Sequence, residues 1–185
     1  MHAAGASIMD LATTNFVLAL GAVALQIATV VLFVLYLVRN RVPELQTTVA
    51  HVKAWALPVA FALSLATMAL SLYYSEFLGI EPCPLCWWQR IFLYPQVILL
   101  GIALYRRDTS IAVYSIALSV LGALFALYNH ILQVMPSGTL PCPAATVSCA
   151  QRFVFEFGYI TLPLMGLTMF AALIVLMLFV RQFRV

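Results

Sequence analysis

From Leu11 to Val38 the chain runs for 28 residues without a charged side chain, and no other feature limits its fold so strongly. About 20 predominantly apolar residues in a helix cross the ~30 Å hydrocarbon core of a bilayer. Inside that core every backbone N–H and C=O has to be satisfied within the protein, which leaves helices or closed barrels. Three similar runs follow. Ala54 to Ser75 gives 22 uncharged residues, with Trp55 near one end and Tyr73 and Tyr74 near the other as interface anchors. Thr109 to His130 and Phe157 to Val180 are the others, the last with Pro163 in its first third. At 65% hydrophobic and 8% charged, with a mean hydropathy of +1.07, the chain is far too apolar for a soluble domain of 185 residues. Nine basic residues against six acidic ones are too few and too scattered for a nucleic-acid surface. No basic segment precedes the first run and it is too long for the apolar core of a signal peptide, so it is expected to be retained.

One more span has to be placed. Between Arg90 and Arg106 only 15 residues lack charge, which is about 22 Å of helix and too short to cross. The helix therefore begins before Arg90. Started at Leu85 it has 21 residues to Tyr105, about 31 Å. Pro82 and Pro84 remove two backbone donors and disfavour helix ahead of them, so the chain enters stiffly and turns helical near Leu85. Cys86 then lies in the first turn, with Arg90 four residues on along the same face.

The fold class expected is an all-α membrane protein of five spans. Arg39, Arg41 and Lys53 lie between spans one and two, Arg106 and Arg107 between three and four, and Arg181 and Arg184 after five: seven of the nine basic residues on one side. By the positive-inside rule that side is cytoplasmic, with the N-terminus out and the C-terminus in. All four cysteines fall on the other side, Cys83 and Cys86 between spans two and three, Cys142 and Cys149 between four and five. Cysteines confined to an oxidising side suit a disulfide framework or a redox relay.

Cys83 and Cys86 form a C-x-x-C pair, whose spacing alone allows a small disulfide or a shared metal. The six residues between Cys142 and Cys149 fit poorly with a zinc site built on two tight pairs, and no metal is expected. The two outer loops echo each other, Pro82-Cys83-Pro84 in one and Pro141-Cys142-Pro143 in the other. A thiolate, not a thiol, carries thiol exchange, and Cys86 has both a helix N-terminus and Arg90 to stabilise one. Arg90 itself is expensive at that depth. It either snorkels to the headgroups or donates to an oxygen of a bound electron acceptor. His130, near the same end of span four, either hydrogen-bonds at the interface or moves a proton. Met135 to Gly138 read as a turn. The aromatic stretch Phe153 to Tyr159, interleaved with Arg152 and Glu156, either lies on the bilayer interface or starts span five.

Taken together, Cys83-Pro-Leu-Cys-Trp-Trp-Gln-Arg90, Tyr94-Pro95, Tyr128-Asn-His130, the Pro-Cys142 to Cys149 loop and Phe157-Gly-Tyr-Ile-Thr-Leu-Pro163 resemble the DsbB family of disulfide-bond formation proteins, most closely its shorter-looped, BdbC-like branch. The resemblance runs from about Ala54 to the C-terminus. It implies a four-helix transmembrane bundle at 54–185, to which 1–53 adds an N-terminal transmembrane helix and a cytoplasmic loop. It also implies a thiol:quinone oxidoreductase in the bacterial cytoplasmic membrane. Such an enzyme reoxidises a secreted, DsbA-like thioredoxin-fold oxidase and passes the electrons to ubiquinone or menaquinone. On that resemblance Cys86 is the cysteine next to the quinone and Cys83 its partner; Arg90 and, more loosely, His130 contact the quinone. Cys142 is the loop cysteine attacked by the reduced oxidase and Cys149 resolves. The family has four spans, so Leu11 to Val38 is an addition, and the Cys142–Cys149 loop is short, which limits its reach to Cys83.

Two other readings stand beside this one. An outward carrier of reductant needs cysteines reachable from both sides, and the cytoplasmic loops have none; in the related vitamin K epoxide reductases the loop cysteines precede the C-x-x-C pair, whereas here they follow it. A non-enzymatic membrane scaffold with loops stapled by structural disulfides would differ by resisting mild reductants.

Overall fold

The computed structural model describes residues 2–135, 141, 148–149 and 152–181, with side chains from Ala12 onward. Among these the chain is helical: α1 His2–Val38, α2 Gln46–Leu72, α3 Pro84–Arg106, α4 Ile111–Val134 and α5 Leu162–Val180. All five are long and apolar enough to cross a membrane. A single π turn, Tyr73–Phe77, extends α2, and a 3-10 turn, Pro43–Leu45, precedes it. Short connections at 39–45, 78–83 and 107–110 make successive helices antiparallel; α2, α3 and α4 pack as successive neighbours, whereas α1 packs on α5. The starts of α3 and α5 and the end of α4 therefore share one end of the bundle.

The boundaries differ from expectation where local chemistry outweighs the apolar pattern. α3 begins at Pro84, with Cys83 extended at its N-cap (φ −65°, ψ 162°) and Pro84 in the first turn, where a missing N–H goes unnoticed. α2 begins at Gln46, well before Ala54, because its first turns tolerate His51 and Lys53 beyond the apolar run. α5 begins only at Leu162. Phe157 and Gly158 take left-handed conformations (φ 52° and 77°), and Glu156 and Ile160 close a small bridge across them, so the chain cannot be helical there. Pro163 accordingly lies in the first turn of α5, behind a Thr161 cap that accepts from the Leu164 amide. The aromatic stretch lies outside the helix, with Phe155, Phe157 and Tyr159 exposed and Val154 and Ile160 buried.

α5 is the centre of the bundle. Its sequence is apolar all round, the pattern of a helix enclosed on every side, and 61% of its spanning window is buried, against 28% or less in the other four. Lipid tails are as apolar as leucine, so close packing rather than hydrophobicity draws such helices together. Gly122 of α4 shows how: a Cβ there would lie 2.3 Å from the Phe170 ring of α5. α3 and α4 are joined at mid-height by Gln96. Its Nε2 donates to Phe92 O at 2.9 Å, and its Oε1 accepts from Ser115 at 2.7 Å and Ser119 at 3.3 Å. α1 packs on α5 through Tyr36 against Phe179 and a hydrogen bond from Gln26 Nε2 to Thr168 Oγ1 at 3.1 Å.

Candidate active site

Proline on either side of Cys83 holds the chain extended until the helix starts, and that placement decides what the two sulfurs meet. As N-cap, the Cys83 sulfur accepts from the Cys86 amide at 3.4 Å. The two sulfurs lie 2.8 Å apart. Hydrogen bonding from the Cys86 thiol lowers Cys83 to a pKa of about 6. Burial opposes the shift, while the Cys86 amide, Cys149 and the Leu85 amide reinforce it. The free amide of the helix N-terminus thus serves Cys83, three residues before the cysteine for which the sequence suggested it, and favours negative charge on that capping sulfur.

Above the pair lies Asn129 of α4, fully buried. Its Nδ2 is 3.5 Å from the Cys86 sulfur and 3.8 Å from that of Cys83. Its Oδ1 is buried and has no hydrogen-bond partner among the described residues. Sequence reasoning passed over Asn129 in favour of the histidine beside it. A signal was present: Ser115, Ser119, Gly122, Ala126, Asn129 and Gln133 recur at helical spacing, and this stripe of small and polar residues is the buried face of α4.

Pro141 and Cys149 of the second cysteine loop are held against the same place. Tyr128 OH donates to Pro141 O at 2.6 Å, and Gln133 Nε2 donates to Cys149 O at 3.4 Å. Cys149 is buried in one cluster with Cys83, Leu85 and Leu132. Cys142 and the turn at 136–138 lie outside the described residues. Of the expected site residues, Cys83, Cys86 and Cys149 come together. Arg90 lies one helical turn from Cys86, but its guanidinium donates to Ser71 O of α2 at 2.8 Å and lies 5.2 Å from the Trp87 ring. His130 does not border the cavity beside the cysteines; its Nδ1 is 2.8 Å from Thr161 Oγ1, at the cap of α5.

That cavity has a volume of about 360 Å³ and lies between α1, α2, α3 and α5. Cys83, Cys86, Ser71 and Arg90 line one part of it and Leu63, Leu93 and Met169 another. A molecule with a polar, hydrogen-bond-accepting head and an apolar body suits such a lining.

A family model described as disulfide bond formation protein DsbB matches residues 53–180. Among curated relatives, the chain is 44% identical over 121 residues to the SPbeta prophage-derived disulfide bond formation protein B of Bacillus subtilis, covering 65% of this chain and 81% of the relative. It is 37% identical over 120 residues to disulfide bond formation protein C of the same organism, 64% of this chain and 86% of the relative. To a probable disulfide formation protein of Chlamydia pneumoniae it is 37% identical over 133 residues, 72% of this chain and 96% of the relative. No solved structure matches the chain.

Proposed function

The chain belongs to the DsbB family of disulfide bond formation proteins, which are thiol oxidoreductases, and from that premise we propose that it takes electron pairs from a secreted, DsbA-like thioredoxin-fold oxidase and delivers them to a membrane quinone, ubiquinone or menaquinone. In this reading it lies in the bacterial cytoplasmic membrane with its cysteines on the extracytoplasmic side. The gathering of seven of nine basic residues on the opposite side supports that orientation. Residues 54–185 are the redox bundle and 1–53 the added helix and loop.

The observation that carries the reading is the cavity of about 360 Å³ bordered by both Cys83 and Cys86, with Arg90 on its wall and apolar side chains beyond. A prenyl quinone fits those residues: its ring oxygens are acceptors for a guanidinium, and its tail is apolar. A bound quinone supplies a sink for two electrons and two protons.

In this reading the chain's own residues act in sequence. The reduced oxidase exchanges its dithiol for the Cys142–Cys149 disulfide and leaves oxidised. The resulting Cys149 thiolate, adjacent to Cys83, attacks the Cys83–Cys86 disulfide at Cys83, forming a Cys149–Cys83 bond and releasing Cys86 as thiolate. The Asn129 amide, nearer Cys86 than Cys83, donates to that leaving sulfur, and a better-stabilised leaving thiolate departs faster. Cys142 then attacks Cys149, restoring the loop disulfide and leaving Cys83 and Cys86 reduced. Reoxidation of this pair releases two electrons and two protons. Arg90, held by Ser71 O and backed by Trp87, presents fixed positive charge to the cavity where negative charge arrives.

Purified protein, mixed anaerobically with a reduced thioredoxin-fold oxidase and a soluble quinone, is expected to form quinol in proportion to thiol consumed, followed by absorbance. Folded protein that forms no quinol with ubiquinone or menaquinone analogues would contradict the proposal and favour a scaffold with stapled loops.

A further inference from the structure

α1 lies outside the residues matched by the family model, yet it is part of the cavity wall. Leu18, Gly21, Ala22 and Leu25 line it, and at spacings of three, one and three residues they form one face of the helix. Two polar ties fix that face in rotation. Tyr74 OH donates to Asn15 Oδ1. Gln26 donates to Thr168 Oγ1 and accepts from Tyr159 OH at 3.3 Å. Amides in a spanning helix are costly unless paired, so these pairs tie α1 to α2, to α5 and to the segment before α5. A Cβ built on Gly21 would meet nothing within 4 Å; the space it faces is open.

Leu18 to Leu25 run inward along α1 from the Asn15–Tyr74 tie and line the same cavity as Cys86, Arg90 and Leu93. Leu93 is seven residues beyond Cys86 on α3, about 10 Å further along the helix. A ring engaged at Cys86 and Arg90 leaves its tail directed there. Resting on the reading of the site as a quinone site, we propose that α1 is the wall against which the isoprenoid tail lies, so that this added helix selects for tailed quinones. The Gly21 and Ala22 positions, having the smallest side chains on that wall, make the room.

The test compares quinones with and without an isoprenoid tail on the full chain. Affinity is read by quenching of tryptophan emission, Trp87 and Trp88 following Cys86 in α3, and independently as the quinone KM. Gly21→Leu fills the open space and is expected to raise Kd and KM for a tailed quinone about tenfold more than for its tailless analogue, because the leucine takes volume the tail would occupy. Gly21→Ala adds one methyl group where nothing stands in the way, and is expected to change the same ratio in the same direction by less; it carries the test should the leucine variant not fold. Equal shifts for both quinones, or none for either, would overturn the tail-wall assignment while leaving the quinone site in place. Wild-type protein that binds neither quinone would instead overturn the reading on which it rests.

Discussion

Two amides are buried at the interface of α3 and α4, and they are treated oppositely. Gln96, at mid-height, is complete: its nitrogen donates to Phe92 O and its oxygen accepts from Ser115 and Ser119. Asn129, ten residues beyond Ser119 and about 15 Å along α4, faces two sulfurs with its nitrogen and leaves its oxygen without a partner among the described residues. Both are fully buried. A completed polar group in a membrane bundle clasps helices together. A half-satisfied one is retained at a cost, and such groups gather where chemistry is done. The free oxygen also gives the amide two ways to meet a sulfur: nitrogen first toward a thiolate, or turned over, oxygen first toward a thiol. Gln96, with both its nitrogen and its oxygen engaged, has no such freedom.

The contrast can be broken most completely at the sulfur itself. Cys86→Ser should reduce quinol formation to background while circular dichroism and detergent stability remain as in the wild type; retained turnover would remove Cys86 as the electron donor. Asn129→Leu keeps the branched shape and heavy-atom count and removes the donor to the leaving sulfur. A hydrogen bond to a charged group contributes about 1.5–3 kcal/mol, so dithiol exchange at Cys83–Cys86 should slow roughly 10- to 100-fold in stopped flow, without loss of thermal stability. Gln96→Leu is the counterpart. It should leave the exchange rate within about twofold and lower unfolding free energy by about 0.6 kcal/mol, the average for polar pairs between membrane helices. A kinetic defect at Gln96 equal to that at Asn129 would erase the distinction between the two.

The smallest expected effect is one of pH. Cys83, lowered to about 6, is mostly thiolate down to that pH in the reduced pair. Alkylation of Cys83, resolved from Cys86 by fragment-ion mass spectrometry, should therefore fall only about twofold between pH 8 and pH 6, whereas a thiol of ordinary pKa near 8.5 would fall nearly 100-fold. The sign follows from the thiolate being the reactive form: the rate is level above the lowered pKa and declines below it. In Cys86→Ser the sulfur that chiefly lowers Cys83 is gone, and the decline should move to higher pH.

Much of this arrangement was legible in the residues. Runs without charge located five helices, Arg90 forced α3 to begin among the prolines, and the C-x-x-C pair with Arg90 marked the reactive end. What was not legible has physical causes. Inside a bilayer an apolar helix has no polar face to orient it, so nothing in Leu11 to Val38 said which side would meet the cavity, although Asn15 and Gln26 now identify it. An uncharged run likewise cannot show where a helix begins, and the left-handed turn at Phe157 and Gly158 displaced the start of α5. Cys86 lies in the first turn of α3, where the prolines were expected to place it, but the runs without charge could not show that the capping sulfur at the start of that turn is Cys83. His130 drew notice as a titratable group, yet its partner is the Thr161 cap, and the neighbouring Asn129 reaches the sulfurs.

The central claim, that the Cys83–Cys86 dithiol itself passes electrons to a quinone, is tested most directly in a single turnover without any oxidase. Reduced protein whose loop pair has been removed by Cys142→Ser and Cys149→Ser is mixed anaerobically with one equivalent of quinone, then acid-quenched and alkylated. The account predicts one quinol formed for each Cys83–Cys86 disulfide found by mass spectrometry. Quinol without that disulfide, or a pair that stays reduced beside unreacted quinone in folded protein, would contradict it.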